Sequence, residues 1–88
     1  MDIDNYRKQI DEIDEKLLSL FIERMDVSRQ IARYKKEQGL PTMDAEREKA
    51  KLADISEKAG EEYSPYAQTL YETLFKLSRA YQEDVRDT

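Results

Sequence analysis

Residues 2–38, DIDNYRKQIDEIDEKLLSLFIERMDVSRQIARYKKEQ, contain neither glycine nor proline. Apolar side chains recur at Ile3, Tyr6, Ile10, Ile13, Leu17 and Leu20, and after Arg24 at Val27, Ile31 and Tyr34. The steps alternate three and four, the period of a helix with one apolar face. Gly39 offers a C-cap and Pro41 bars continuation, so the spacing predicts a single helix from about Asp2 to Gln38. At ~1.5 Å per residue such a helix is roughly 54 Å long, whereas a chain of this size forms a globule with a radius of gyration of only about 12 Å. The stripe stays apolar along most of its length and needs cover throughout. The helix is therefore expected to cross into a second copy, as an intertwined homodimer, rather than to protrude as a coiled-coil arm.

The rest of the chain predicts two shorter helices. One starts near Thr42 or Asp44, either of which can cap it, carries Ala45, Glu48, Leu52, Ile55 and Ala59 on one stripe, and ends at Gly60. The other starts at Ser64-Pro65, a cap residue followed by proline at the first helical position, with Ala67, Leu70, Leu74, Leu77, Tyr81 and Val85 as its stripe. The tail Arg86-Asp87-Thr88 is expected to fray. Strand-type runs of Val, Ile and Thr are missing. The expected fold is all-α, with three helices per chain, a very long first one, and a single domain over residues 1–88.

Composition narrows the function. Of the 88 residues 40% are charged, and the net charge is -5. This balance argues against nucleic acid or an anionic membrane surface as a partner. No apolar run approaches membrane-spanning length, and Met1-Asp2-Ile3-Asp4 is too acidic and polar for a secretory signal, so the expected location is cytoplasmic. Cysteine and histidine are both absent, which removes thiol chemistry, the commonest general base and the commonest metal ligand. An enzyme built from this chain has to work by charge and shape, with no cofactor.

A few polar residues break the apolar stripes. Arg24 stands between Leu20 and Val27, and Lys35 follows eleven residues later, nearly in phase and about 16 Å along the axis. A buried, unpaired cation costs several kcal/mol, so an anion should meet the pair, unless both side chains reach solvent or bridge to Glu48. Glu48 interrupts the second stripe in the same way, within the cluster Asp44-Ala45-Glu46-Arg47-Glu48 at a helix start. For Asp44 ordinary helix capping is the preferred explanation. Ser78 and Gln82 share a face of the third helix, although solvent exposure explains that pair as readily. Arg7 lies seventeen residues before Arg24, about 25 Å of rise and roughly 100° of rotation away. Any functional role for Arg7 therefore belongs to the site of a neighbouring copy.

Taken together, Arg7-x-x-Ile10-Asp11-x-Ile13-Asp14-x-x-Leu17-Leu18, Glu23-Arg24-Met25, Lys35, Pro41-x-x-Asp44-x-x-Arg47-Glu48 and Ser78-x-x-x-Gln82 resemble the all-helical chorismate mutases over nearly the whole chain. The resemblance implies a homodimer with two equivalent sites that isomerise chorismate to prephenate in the phenylalanine and tyrosine branch of aromatic biosynthesis. It implies that Arg24, Arg47 and Arg7 of the other subunit bind the two substrate carboxylates, with Ser78 in support. Lys35 and Gln82 would bind the ether oxygen, and Glu48 the ring hydroxyl beside the Asp44 backbone. Two rivals remain. An isochorismate pyruvate-lyase on the same fold would share the cations and Gln82 but typically lacks the acid at Glu48. A non-catalytic helical module would have no turnover at all.

Overall fold

A computed structural model describes residues 2–87, so the ends of the expected domain, Met1 and Thr88, lie outside the described residues. Within them the chain is all-helical, with two helices, α1 (Ile3–Gln38) and α2 (Ala45–Arg86). The Asp2 carboxylate caps α1 by accepting the Asn5 N–H at 3.0 Å. At the other end Gly39 turns left-handed (φ 68°), and the N–H groups of Gly39 and Leu40 close on the carbonyls of Lys36 and Lys35 at 3.3 and 2.8 Å. That pattern is a Schellman closure, which only glycine enters without strain. Asp44, rather than Thr42, caps α2, accepting the Arg47 N–H at 3.0 Å.

The expected second and third helices are one element in the structure. The break between them is a single residue, Gly60 (φ 82°, ψ 167°), in a backbone region essentially reserved for glycine. No loop is needed, and residues 61–64 are already helical. Pro65 therefore sits inside the helix rather than at its first position, where it withholds the N–H that would bond the Glu61 carbonyl. Ser64 is not a free cap either. Its hydroxyl hydrogen-bonds Ser56 across the kink, and Gln68 Nε2 donates to Ser56 at 2.9 Å, so the two arms of α2 are stapled side chain to side chain. Nor do both Arg86 and Asp87 fray as expected. Asp87 N–H reaches the Glu83 carbonyl at 3.1 Å, while Arg86 donates to Thr42 Oγ1 at 3.1 Å.

The C-terminal half of α1 packs on the last turns of α2. Ala32 and Phe75 are the buried apolar residues, joined by buried Ser28, Thr42, Ser78 and Gln82. The inner line of α2 is thus Tyr71, Phe75, Ser78, Gln82, one position round from the expected stripe, whose Leu70 and Leu77 are exposed. Among the described residues nothing covers the N-terminal half of α1. Ile3, Tyr6, Ile10, Ile13, Leu17 and Leu20 each leave more than half of their surface open. The molecule accordingly stretches 55 Å with a radius of gyration of 16.2 Å, well beyond a compact globule of its length. Among the described residues no helix is long and apolar enough to cross a membrane.

Candidate active site

Where α1 leaves the core, it and the two arms of α2 enclose a cavity of about 490 Å³, a size typical of small-molecule sites. Arg24, Lys35, Arg47, Lys51 and Arg79 line it, against the carboxylates of Glu23, Asp44 and Glu48. The lining therefore carries an excess of two positive charges in a chain whose net charge is -5. Helical phase explains the concentration: Arg24, Ser28, Ile31 and Lys35 succeed one another at four, three and four residues along the inner face of α1.

Each side chain is held differently. Arg24 is half-buried, with its guanidinium carbon 6.0 Å from the centre of the Phe75 ring, a cation–π contact, and has no carboxylate within ion-pair distance among the described residues. Phe75 in turn meets Tyr71 edge to face, at 6.2 Å between centroids. Lys35 is also half-buried and donates from Nζ to the Thr42 carbonyl at 2.8 Å. Both cations are therefore less enclosed within one chain than helical periodicity implied. Neither bridges to Glu48, whose partner is Arg79, on the far arm of α2. Arg47 is exposed at the rim.

Ser78 and Gln82 are buried, not solvent-facing. Ser28 and Ser78 share a hydrogen bond at 2.8 Å, and Gln82 Nε2 donates to Ser78 at 3.0 Å. That arrangement leaves Gln82 Oε1 buried with no partner. A buried unsatisfied acceptor costs about 1–3 kcal/mol. Turned over, the amide accepts from the Ser78 hydroxyl through Oε1 and leaves Nε2 as the buried group in need of a partner, a donor in place of an acceptor.

Arg7 does not line the cavity. It is exposed and 3.9 Å from Asp4 on the bare half of α1. The sequence reading also missed Ser28, Thr42, Lys51 and Arg79. Ser28 carries a readable signal, one turn beyond Arg24 on the same face. Arg79 carries none, since it lies thirty-one positions after Glu48 with the kink in between.

The sequence profile of chorismate mutase type II matches residues 6–83. The chain belongs to that family. A curated relative, the chorismate mutase of Methanocaldococcus jannaschii, is 49% identical over 43 residues, a stretch covering 49% of this chain and 43% of that protein. The match thus spans less than half of the relative's length. No solved structure matches the chain significantly. All the lining residues of this chorismate mutase type II domain fall inside the matched span.

Proposed function

We propose that residues 1–88 act as one chorismate mutase domain, isomerising chorismate to prephenate, as a homodimer whose sites are each completed by Arg7 of the neighbouring copy. One observation carries the proposal: a cavity of small-molecule size with two surplus cations, in an acidic chain of this family. A dianionic substrate neutralises that surplus. Arg24 and Arg47 meet its carboxylates, with Ser78 beside them. The cation–π contact with Phe75 holds the Arg24 guanidinium at one height in the cavity.

The reaction breaks a C–O bond while a C–C bond forms within one molecule. Atoms are conserved and no proton moves, so neither a nucleophile nor a general base is needed. The protein has two tasks. The first is to hold the substrate in the folded conformer in which the reacting carbons touch, which is catalysis by orientation. The second is to stabilise the negative charge that grows on the ether oxygen. Lys35 supplies a fixed ammonium for this, and Gln82, with its amide turned, supplies an N–H donor. Preorganised donors aimed at developing charge act as an oxyanion hole does. Glu48 accepts from the ring hydroxyl at the other rim, which favours the mutase over the lyase.

The bare stripe of α1 supports the dimer. Six large apolar side chains that need cover share the end of the helix that bears Arg7. Prephenate formation by the purified chain from chorismate tests the activity. Consumption of isochorismate without prephenate would overturn it in favour of the lyase, and no turnover of either substrate would favour the binding module.

A further inference from the structure

We propose that Arg79 is a positioning residue, which keeps the Glu48 carboxylate from folding into the cavity as a substitute for the substrate. The proposal rests on the mutase activity above and adds a residue outside the set that binds substrate. The ion pair itself points to the role. Every other ion pair among the described residues joins side chains three or four apart on one helix, whereas Arg79 and Glu48 come from opposite arms of α2. The pair is also the most sheltered, with side chains 30% and 20% exposed.

The surroundings of Glu48 explain why it needs a tether. Lys51 is three residues on, hence on the same face, and Arg24, Lys35 and Arg47 line the same cavity. A carboxylate released at this rim has cations on its cavity side that are otherwise kept for a dianion. It would lie across them and compete with the substrate from within the molecule. Arg79 engages Glu48 through Oε1, drawing the group to the wall between this cavity and a smaller one behind it, which both residues also line. Oε2 is left to accept a hydrogen bond from a ring hydroxyl. Arg79 therefore sets both where the acid is and which oxygen it offers.

This account makes the effect of Arg79 conditional on the charge of Glu48. Steady-state kinetics on chorismate for Arg79→Met, Arg79→Lys, Glu48→Gln and the double variant Arg79→Met/Glu48→Gln test it, with melting curves alongside. Arg79→Met should raise KM ~10-fold or more, by more than it lowers kcat, because loss of a charge-assisted tether frees the competitor. Arg79→Lys should restore most of the loss. Glu48→Gln should cost less than Arg79→Met, since the amide still accepts from a hydroxyl and no longer seeks cations. The double variant should then have a KM close to that of Glu48→Gln alone. Should Arg79→Met fail to fold, Arg79→Gln gives the same comparison. A wild-type KM in the Arg79 variant, or an equal rise in KM in the Glu48→Gln background, overturns the proposal while leaving the mutase activity intact. A wild-type chain that forms no prephenate overturns the activity and this proposal with it.

Discussion

Replacing Lys35 by alanine separates catalysis from folding. Among the described residues the ammonium has one partner, the Thr42 carbonyl at 2.8 Å. Its loss removes one hydrogen bond from a charged donor, about 1.5–3 kcal/mol at most. Much of that is recovered, because the loop stays pinned without Lys35. The Schellman closure holds its start, Arg86 holds the Thr42 hydroxyl at 3.1 Å, and the Asp44 cap holds its end. A half-buried cation in a cavity with surplus positive charge also repels its neighbours, so removing it relieves the folded state. The expected net destabilisation is within ~1 kcal/mol, so Tm should fall by no more than about 4–8 °C. Turnover should respond on another scale. Removing one preorganised donor from developing negative charge costs roughly 100- to 1,000-fold in kcat. The assay is the initial rate of chorismate loss at saturating substrate, with melting curves at the same protein concentration. A Lys35→Ala variant with kcat within threefold of wild type would refute the ether-oxygen role. A variant that lost activity only because it had unfolded would refute the claim that the loop stands without Lys35.

Three further outcomes are expected. Arg7→Ala and Arg24→Ala chains, each inactive alone, should regain about a quarter of wild-type activity when unfolded together and reannealed in equal amounts, since half of the dimers then hold one site free of both changes; no recovery would place Arg7 outside the site. Gly60→Ala should destabilise the protein by ~1–3 kcal/mol on thermal melting, because alanine resists the backbone angles there although the space for its methyl is open. Asp54 is held below the usual carboxylate range chiefly by its hydrogen bond from Lys58 at 3.0 Å. A lowered pKa in the folded state means the contribution is present above the usual value of about 3.9 and is lost as the pH falls through the folded value below it. The difference in Tm between wild type and Asp54→Asn should therefore be visible at pH 7 and vanish well below the usual carboxylate range.

How far the sequence could be read depends on what kind of signal each element carries. The length of α1, its Asp2 start and its Gly39 stop are local signals, and each was legible. The kink was not, because Gly60 breaks a helix with one residue, and nothing in the letters distinguishes that from a loop running to Ser64. The inner face of α2 was misread by one position for a different reason. Periodicity finds the most apolar line, but the line facing α1 runs Phe75, Ser78, Gln82 and turns polar at the cavity. Leu70 and Leu77 are conspicuous in sequence yet open in the single chain. Arg24 and Glu48 were legible because each breaks an apolar run, and Lys35 because it stands nearly in phase with Arg24. Arg79 breaks none, and its partner lies beyond the kink, so its place in the wall appears only once the two arms of α2 are set against each other.

A homodimer that covers the bare half of α1, as proposed, would make concentration part of this protein's stability. Were the stripe covered only by association, unfolding would be bimolecular in reverse, and a midpoint measured at one dilution would not hold at another. Five apolar side chains outside the cavity lining, Ile3, Tyr6, Ile10, Ile13 and Leu17, would then govern activity as firmly as any residue inside it. A mildly polar change at Ile10 or Leu17 would look, in an assay run at low enzyme concentration, like the loss of a catalytic group. Adding more protein would restore the rate, which distinguishes a chain that has lost its partner from one that has lost its chemistry.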